Sequence, residues 1–254
     1  MDEYTMQNKI AWEYNAYDFW VSHSGTPAER AKQDLEDPRK MLKKYSKYFA
    51  DDMKGVKIAN ICGSCGKKAI PLAILGASVT IFDISKENKR YVCETAEAAK
   101  ISIDFVVGDV LDIDMSVYGG YFDIVFMEGG ILHYFHDINR FMDIMNKLLK
   151  QGGRMICSDF HPLRKVLDVN GLGNPTVHYF STDILDCEMA HAKFYDEEKR
   201  KLFPKVKLRL YTISEIINSV IDNGFRLLRF DEHPSWENMN KNLPGEFTIL
   251  ADKI

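Results

Sequence analysis

No run of apolar residues in the chain approaches the roughly 20 that a membrane span requires, and Met1 to Ile10 is too polar for a secretory signal. Cysteine is scarce: five are scattered over 254 residues, an odd number with only Cys62 and Cys65 close together. That argues against a disulfide framework and fits a reducing compartment, so the expected location is cytoplasmic. Positive charge is not in excess either. The formal net charge is −4 and Lys and Arg are spread out, whereas nucleic-acid binding needs clustered cations to neutralise phosphates. The densest basic stretch, Arg39 to Lys47, also carries Leu42 and Tyr45 and reads as the polar face of a helix. Internal repeats and low-complexity tracts are missing.

What is present is an ordinary globular composition, 46 % hydrophobic, in a chain long enough to bury a sizeable core. Residues 1–50 read as helices. Asn8 to Val21 holds Trp12, Tyr14, Tyr17, Phe19 and Trp20, more aromatics than one core stripe uses. Residues 1–50 are therefore expected to form a helical lid, with Trp12, Tyr17 and Trp20 as substrate-pocket candidates. Thr26-Pro27-Ala28-Glu29 combines an N-cap, a first-turn proline and a Glu placed to bond back. Asp37-Pro38 repeats the cap-then-proline signal.

From Val56 the pattern changes to alternating strands and helices. Strands are predicted at Val56–Ile61, Val79–Phe82, Ile103–Val107, Phe122–Met127 and Arg154–Ser158. Helices are predicted at Lys67–Leu75, stopping at Gly76, at Lys86–Ala99 and at roughly Leu132–Leu149. Residues 160–206 break the rhythm without a clear period and read as a substrate-cap insert. Its aromatics, with Tyr179 among them, suit a mostly apolar pocket. Thr212-Ile213-Ser214-Glu215 then opens a helix that stops at Gly224, and Phe225–Phe230 and Glu246–Ala251 read as a final strand pair. Such alternation predicts an α/β fold, a Rossmann-like doubly wound sheet with helices on both faces.

Ligands of such sheets sit beyond the carboxyl ends of the strands, so the residues leaving each strand carry the chemistry. After the first strand comes Cys62-Gly63-Ser64-Cys65-Gly66, small enough for backbone N–H groups to approach a ligand, with a helix start behind it. After the second comes Asp83, a carboxylate able to accept from ribose hydroxyls. Gly108-Asp109 follows the third strand and Met127-Glu128-Gly129-Gly130 the fourth.

These segments, in this order and spacing, resemble the class I S-adenosylmethionine-dependent methyltransferases. The likeness runs through Ile58 to Gly66, Val79 to Ser85, Gly108-Asp109-Val110, Tyr121 to Val125 and Leu148 to Gly153. It implies seven strands, the last one antiparallel, within a domain spanning 51–254. It also implies S-adenosyl-L-methionine as cofactor and a methyl group delivered in line to a small-molecule acceptor. By the same resemblance Cys62, Gly63, Ser64 and Gly66 would line the methionine moiety. Asp83 would bind the ribose with Ile84 against the adenine, Gly108, Asp109 and Val110 would surround the base, and Met127 and Glu128 would face the ammonium group. The glycine loop departs from the family pattern: Asn60 stands for the usual acid, and Cys62 and Ser64 for two glycines. Glu128 is the candidate for the missing negative charge.

Other features have plainer readings beside the chemical ones. Cys62-x-x-Cys65 lacks the second pair that a metal site needs, and no metal is expected. His133 and His136, three apart on the predicted helix, read as packing or surface residues, yet His133 follows the fourth strand closely enough to be the candidate general base. Asp159 and His161 leave the fifth strand toward the pocket rim, and His161 is a further pocket candidate. Tyr195 and Lys199 have the spacing of short-chain dehydrogenases, but in a charged, irregular segment. A nicotinamide-dependent oxidoreductase remains the rival enzyme, disfavoured because a pyrophosphate needs the glycines this loop lacks. The other rival is a non-catalytic cofactor-binding protein of the same fold.

Overall fold

The computed structural model of the protein describes residues 1–167, 177–234 and 242–254. Seven strands form one sheet in the order β3-β2-β1-β4-β5-β9-β8. They are β1 (Lys57–Ile61), β2 (Ser78–Asp83), β3 (Asp104–Val107), β4 (Phe122–Glu128), β5 (Leu149–Phe160), β8 (Phe225–Pro234) and β9 (Pro244–Lys253). The first five pair in parallel, while β9 runs antiparallel between β5 and the edge strand β8. Strand β1 is covered on both faces, and Ile58 to Ile61 are all buried, which is why it reads as a continuous run rather than an alternation. The strand order reverses between β1 and β4, and this reversal opens the crevice that ligands of such sheets use.

One face of the sheet is packed by α8 (Ile138–Leu148) and α11 (Ile213–Asp222). Phe141, Met142, Met145 and Leu148 of α8 recur at helical spacing on its buried side. The other face is packed by α5 (Ala69–Ile74) and α6 (Lys86–Ala99), together with Leu42, Tyr45 and Phe49. Those three residues belong to the sheet's core, so only α1 (Glu3–Glu13) and α2 (Ala16–Ser24) of the first fifty residues are left to lie over the crevice. The capping boxes at Thr26 and Thr212 form as the sequence predicts, opening α3 (Pro27–Glu36) and α11, and Asp37 caps α4 (Pro38–Leu42).

Several elements differ from the sequence reading. The N-terminal helix breaks at Asn15, which takes a left-handed φ of 51° and separates α1 from α2. The predicted helix from Leu132 to Leu149 is a 3₁₀ turn at Leu132–Tyr134 followed by α8, which starts only after Asp137 accepts a bond from Arg140 N. His133 and His136 therefore do not share a helix face. A two-stranded antiparallel hairpin, β6 (Ile184–Cys187) with β7 (Val206–Arg209), begins inside the insert at 160–206 and ends three residues beyond it. The side chain of Asn8 brackets this hairpin: its Oδ1 accepts from Lys207 N at 2.7 Å and its Nδ2 donates to Lys207 O at 3.0 Å. An amide side chain thus stands in for a third strand and fastens α1 to the insert. Residues 168–176 and 235–241 lie outside the described residues. Among the described residues no helix is long and apolar enough to cross a membrane.

Candidate functional site

A cavity of about 300 Å³ lies at the carboxyl ends of β1 to β4, beneath α1 and α2. The loop after β1 forms one wall. Cys62 and Ser64 both adopt φ 50° and Gly66 φ 73°, so the chain keeps left-handed conformations at two positions where side chains make them costly. Gly63 is required for a different reason: a Cβ there would lie 2.3 Å from Asn60 Oδ1 and 2.9 Å from Ile81 Cγ2. Asn60 in turn donates from Nδ2 to Phe126 O at 3.2 Å, holding β1 to β4 without any charge.

Asp83, at the end of β2, is buried and already engaged. Its Oδ2 accepts from Ser64 N at 2.9 Å, and its Oδ1 accepts from Ser85 N at 3.0 Å and from Asn88 Nδ2 at 3.1 Å. Asn88 Oδ1 accepts from Trp20 Nε1 at 2.8 Å, which ties α2 to the same carboxylate. Burial raises the Asp83 pKa against the pull of these donors. Asp109 accepts from Leu111 N at 2.9 Å and is likewise raised by burial. Across the cavity stands Glu128, near the Tyr45 hydroxyl and the buried Lys68 ammonium. Burial, then the Glu128 charge, pushes Tyr45 upward, while burial pulls Lys68 down and Glu128 opposes it.

Cys62, Gly63, Ser64, Asp83, Ile84, Gly108, Asp109, Val110, Glu128, Trp12 and Trp20 therefore line one cavity, although they come from six separated stretches of sequence. Other predicted site residues fall elsewhere. Met127 is fully buried in the core, because its side chain alternates away from that of Glu128. Gly66 supports the loop from beneath, where a Cβ would come within 3.0 Å of Val92. His133 sits on the 3₁₀ turn beside Tyr134 and Phe160, off the cavity wall. Tyr17 bonds Glu94 beneath the Arg90 guanidinium on the outer side of α2. His161 is buried with Nε2 2.9 Å from Glu232 Oε1 and Nδ1 accepting from Leu163 N at 3.2 Å, and burial lowers its pKa. The Tyr179 hydroxyl accepts from Ile213 N at 2.9 Å, capping α11. These six meet structural neighbours instead of the cavity.

Asp159 does not reach the cavity as a reacting group, yet it shapes the wall. It is buried, and its Oδ2 accepts from Ile131 N and Leu132 N, each at 2.8 Å, with Oδ1 accepting from Phe160 N at 2.5 Å. The Gly129–Leu132 backbone is thereby held against β5. Burial raises the Asp159 pKa to about 6. Sequence reasoning missed Thr5, Asn8, Lys67, Tyr134 and Phe135, all of which line the cavity. Tyr134 and Phe135 were hidden by reading a helix where the chain makes a 3₁₀ turn. Lys67 carried a signal, since it follows the glycine loop directly.

The set suits an adenosine-bearing sulfonium amino acid. One carboxylate ends β2, a second follows β3, a third faces the loop, and Ser64 Oγ is buried beside them with no partner among the described residues. Residues 61–157 match the family model described as a methyltransferase domain. Among solved structures, an S-adenosylmethionine-dependent methyltransferase of Methanosarcina mazei aligns at 20 % identity and TM-score 0.61, over 82 % of this chain and 95 % of that one. Magnesium protoporphyrin IX methyltransferase of Synechocystis, with S-adenosylhomocysteine bound, aligns at 17 % identity and TM-score 0.62 over all of both chains. The cyclase SpnF shares the fold too, at 13 % identity and TM-score 0.59, over 85 % of this chain and 80 % of that one. No curated protein sequence matches the chain. Residues 61–157 thus match a methyltransferase domain, and the chain shares the fold of solved S-adenosylmethionine-dependent methyltransferases.

Proposed function

We propose that the protein transfers a methyl group from S-adenosylmethionine to a small, largely apolar acceptor that enters beneath a lid made by α1 and α2. The observation that carries this reading is the continuity of one cavity from Asp83 and the glycine loop to Trp12, Tyr134 and Phe135. When bound, the cofactor supplies a methyl group already activated by its sulfonium. The residues around it need only bind, orient and exclude water.

Asp83 receives the ribose. Ser64 N, Ser85 N and Asn88 Nδ2 already donate to Asp83, so the ribose hydroxyls would meet a carboxylate that the fold holds in place. Ile84 and Val110 flank the adenine and Asp109 accepts from its amino group. Glu128 faces the ammonium, in place of the acid that Asn60 replaces. On the acceptor side the wall is Thr5, Asn8, Trp12, Ile131, Tyr134 and Phe135. None of these is a base near neutral pH, and burial pushes the Tyr134 hydroxyl further up. His133 is off this wall, so the proposed mechanism uses positioning and desolvation with no dedicated base. Aromatic faces near the sulfonium would favour it by roughly 0.5–2 kcal/mol, an attraction the neutral product loses.

Titration calorimetry with S-adenosylhomocysteine and with NAD tests the cofactor. Micromolar binding of the first alone is expected, and binding of NAD alone overturns the reading. Incubation with methyl-labelled cofactor and a panel of small aromatic and heteroatom nucleophiles tests transfer. Cofactor binding without any labelled product would place the protein with the non-methylating members of the fold.

A further inference from the structure

Two lysines line the cavity beside the glycine loop, and they differ in what they already hold. Lys68 is buried and its Nζ donates to Met41 O at 2.6 Å. Lys67 is half-exposed, and its ammonium lies 5.2 Å above the Trp20 ring, with no carboxylate or carbonyl partner among the described residues. An ammonium on an aromatic platform is oriented but not neutralised.

The loop itself offers little other positive charge. The sequence predicts a helix from Lys67 whose N-terminus would meet an anion, but α5 begins only at Ala69, runs for six residues and has no side-chain cap. Its end is too short to serve that purpose. The neighbouring Ser64 Oγ, buried without a partner among the described residues, leaves an unspent donor on the same wall. Trp20 also donates to Asn88, and Asn88 to Asp83, so the platform beneath Lys67 is fixed relative to the carboxylate that ends β2.

We propose that Lys67, held over the Trp20 ring, receives the α-carboxylate at the amino-acid end of the cofactor. With Glu128 facing the ammonium, the zwitterion is met by one charge of each sign. The proposal rests on S-adenosylmethionine being the cofactor. It adds that discrimination between the intact cofactor and its decarboxylated form resides in this side chain.

Calorimetry with three ligands tests it: S-adenosylhomocysteine, decarboxylated S-adenosylmethionine, which keeps the ammonium but lacks the carboxylate, and 5′-methylthioadenosine, which lacks the whole amino-acid end. Lys67→Met should weaken S-adenosylhomocysteine by about tenfold or more, as expected for loss of a charge-assisted bond. It should leave the other two within about twofold of wild type, and Lys67→Arg should restore most of the loss. Methylthioadenosine binding reports that each variant is folded, and Lys67→Gln repeats the measurement should the Met variant misfold. Equal weakening of all three ligands would mean a structural role, and no change in any would mean that Lys67 is idle; either result overturns the proposal. Wild-type protein that binds none of the three overturns the cofactor reading itself, and this inference with it.

Discussion

The backbone N–H of Ser64 donates to Asp83 Oδ2 at 2.9 Å, so the loop after β1 is fastened to the carboxylate that ends β2. Under the proposed function, binding and folding therefore share one side chain. Asp83→Ala orphans the Ser64 and Ser85 N–H groups and the Asn88 amide, and an orphaned buried donor costs about 1–3 kcal/mol. The variant should lose S-adenosylhomocysteine binding and also unfold at lower urea. Asp83→Asn keeps one acceptor oxygen, so it should recover much of the stability while affinity stays down by about tenfold. Unchanged urea stability of Asp83→Ala would show that these ties carry no weight in the fold.

Within the glycine loop the need for glycine is uneven. Cys62 and Ser64 hold φ 50° with side chains attached, a conformation that costs an L-residue roughly 1–2 kcal/mol. Substituting glycine relieves that strain but adds about 0.4–1 kcal/mol of unfolded-state freedom. Cys62→Gly and Ser64→Gly should each leave stability unchanged or raise it by about 1 kcal/mol. Gly63→Ala should instead destabilise by about 1–3 kcal/mol, because its Cβ meets an Asn60 amide already pinned to Phe126 O. Denaturant titrations of the three variants check the order; a harmless Gly63→Ala would refute it.

How much of this was legible beforehand follows from the range of the interactions involved. The first five strands, the position of Asp83 at the end of β2 and both capping boxes are written in local pattern, and they form as read. Strands β1 and β2 are the most legible, because burial on both faces leaves an apolar run that little else imitates. The register of Met127 and Glu128 was also available: alternation sends one to the core and the other to the cavity, and only the assumption that both face the ligand was wrong. Tyr179, His161 and Tyr17 were not separable from pocket residues by sequence, since their partners, Ile213, Glu232 and Glu94, lie 34, 71 and 77 positions away in sequence. The hairpin β6–β7 was not read from the sequence, because residues 160–206 show no clear period. What stabilises it against α1, the Asn8 bracket, has no local signature.

If α1 and α2 act as the proposed lid, its two tryptophans should separate by function. Trp20 is tied to the proposed ribose carboxylate, since its Nε1 donates to Asn88, which in turn donates to Asp83. Trp12 packs edge-on against Tyr134, with centroids 5.8 Å apart, on the wall proposed for the acceptor. Trp20→Phe keeps the ring but removes the donor, and should weaken S-adenosylhomocysteine several-fold, on the order of 1 kcal/mol. Trp12→Ala should leave that affinity nearly unchanged and raise KM for an acceptor once one is found. Calorimetry on both variants decides; identical losses would mean that the lid acts as one unit.

Asp159 sets a pH dependence whose sign can be worked out. Burial raises its pKa to about 6 from the ordinary 3.8, so the fold prefers the neutral acid, even though Ile131 N and Leu132 N favour the anion. A group raised in this way contributes its stability below its unfolded pKa and loses that contribution as pH climbs through the folded value. The window is therefore about pH 4 to 6, and the whole span is worth on the order of 3 kcal/mol. Asp159→Asn carries no titrating proton but retains an acceptor oxygen for the Gly129–Leu132 backbone. Wild-type stability relative to this variant should fall from pH 4 to about pH 6.5 and stay level above it. Urea titrations at four pH values across that range measure the difference directly. A difference that is flat with pH would mean that the carboxylate is stabilised by its three backbone donors as fully as water stabilises it in the unfolded chain.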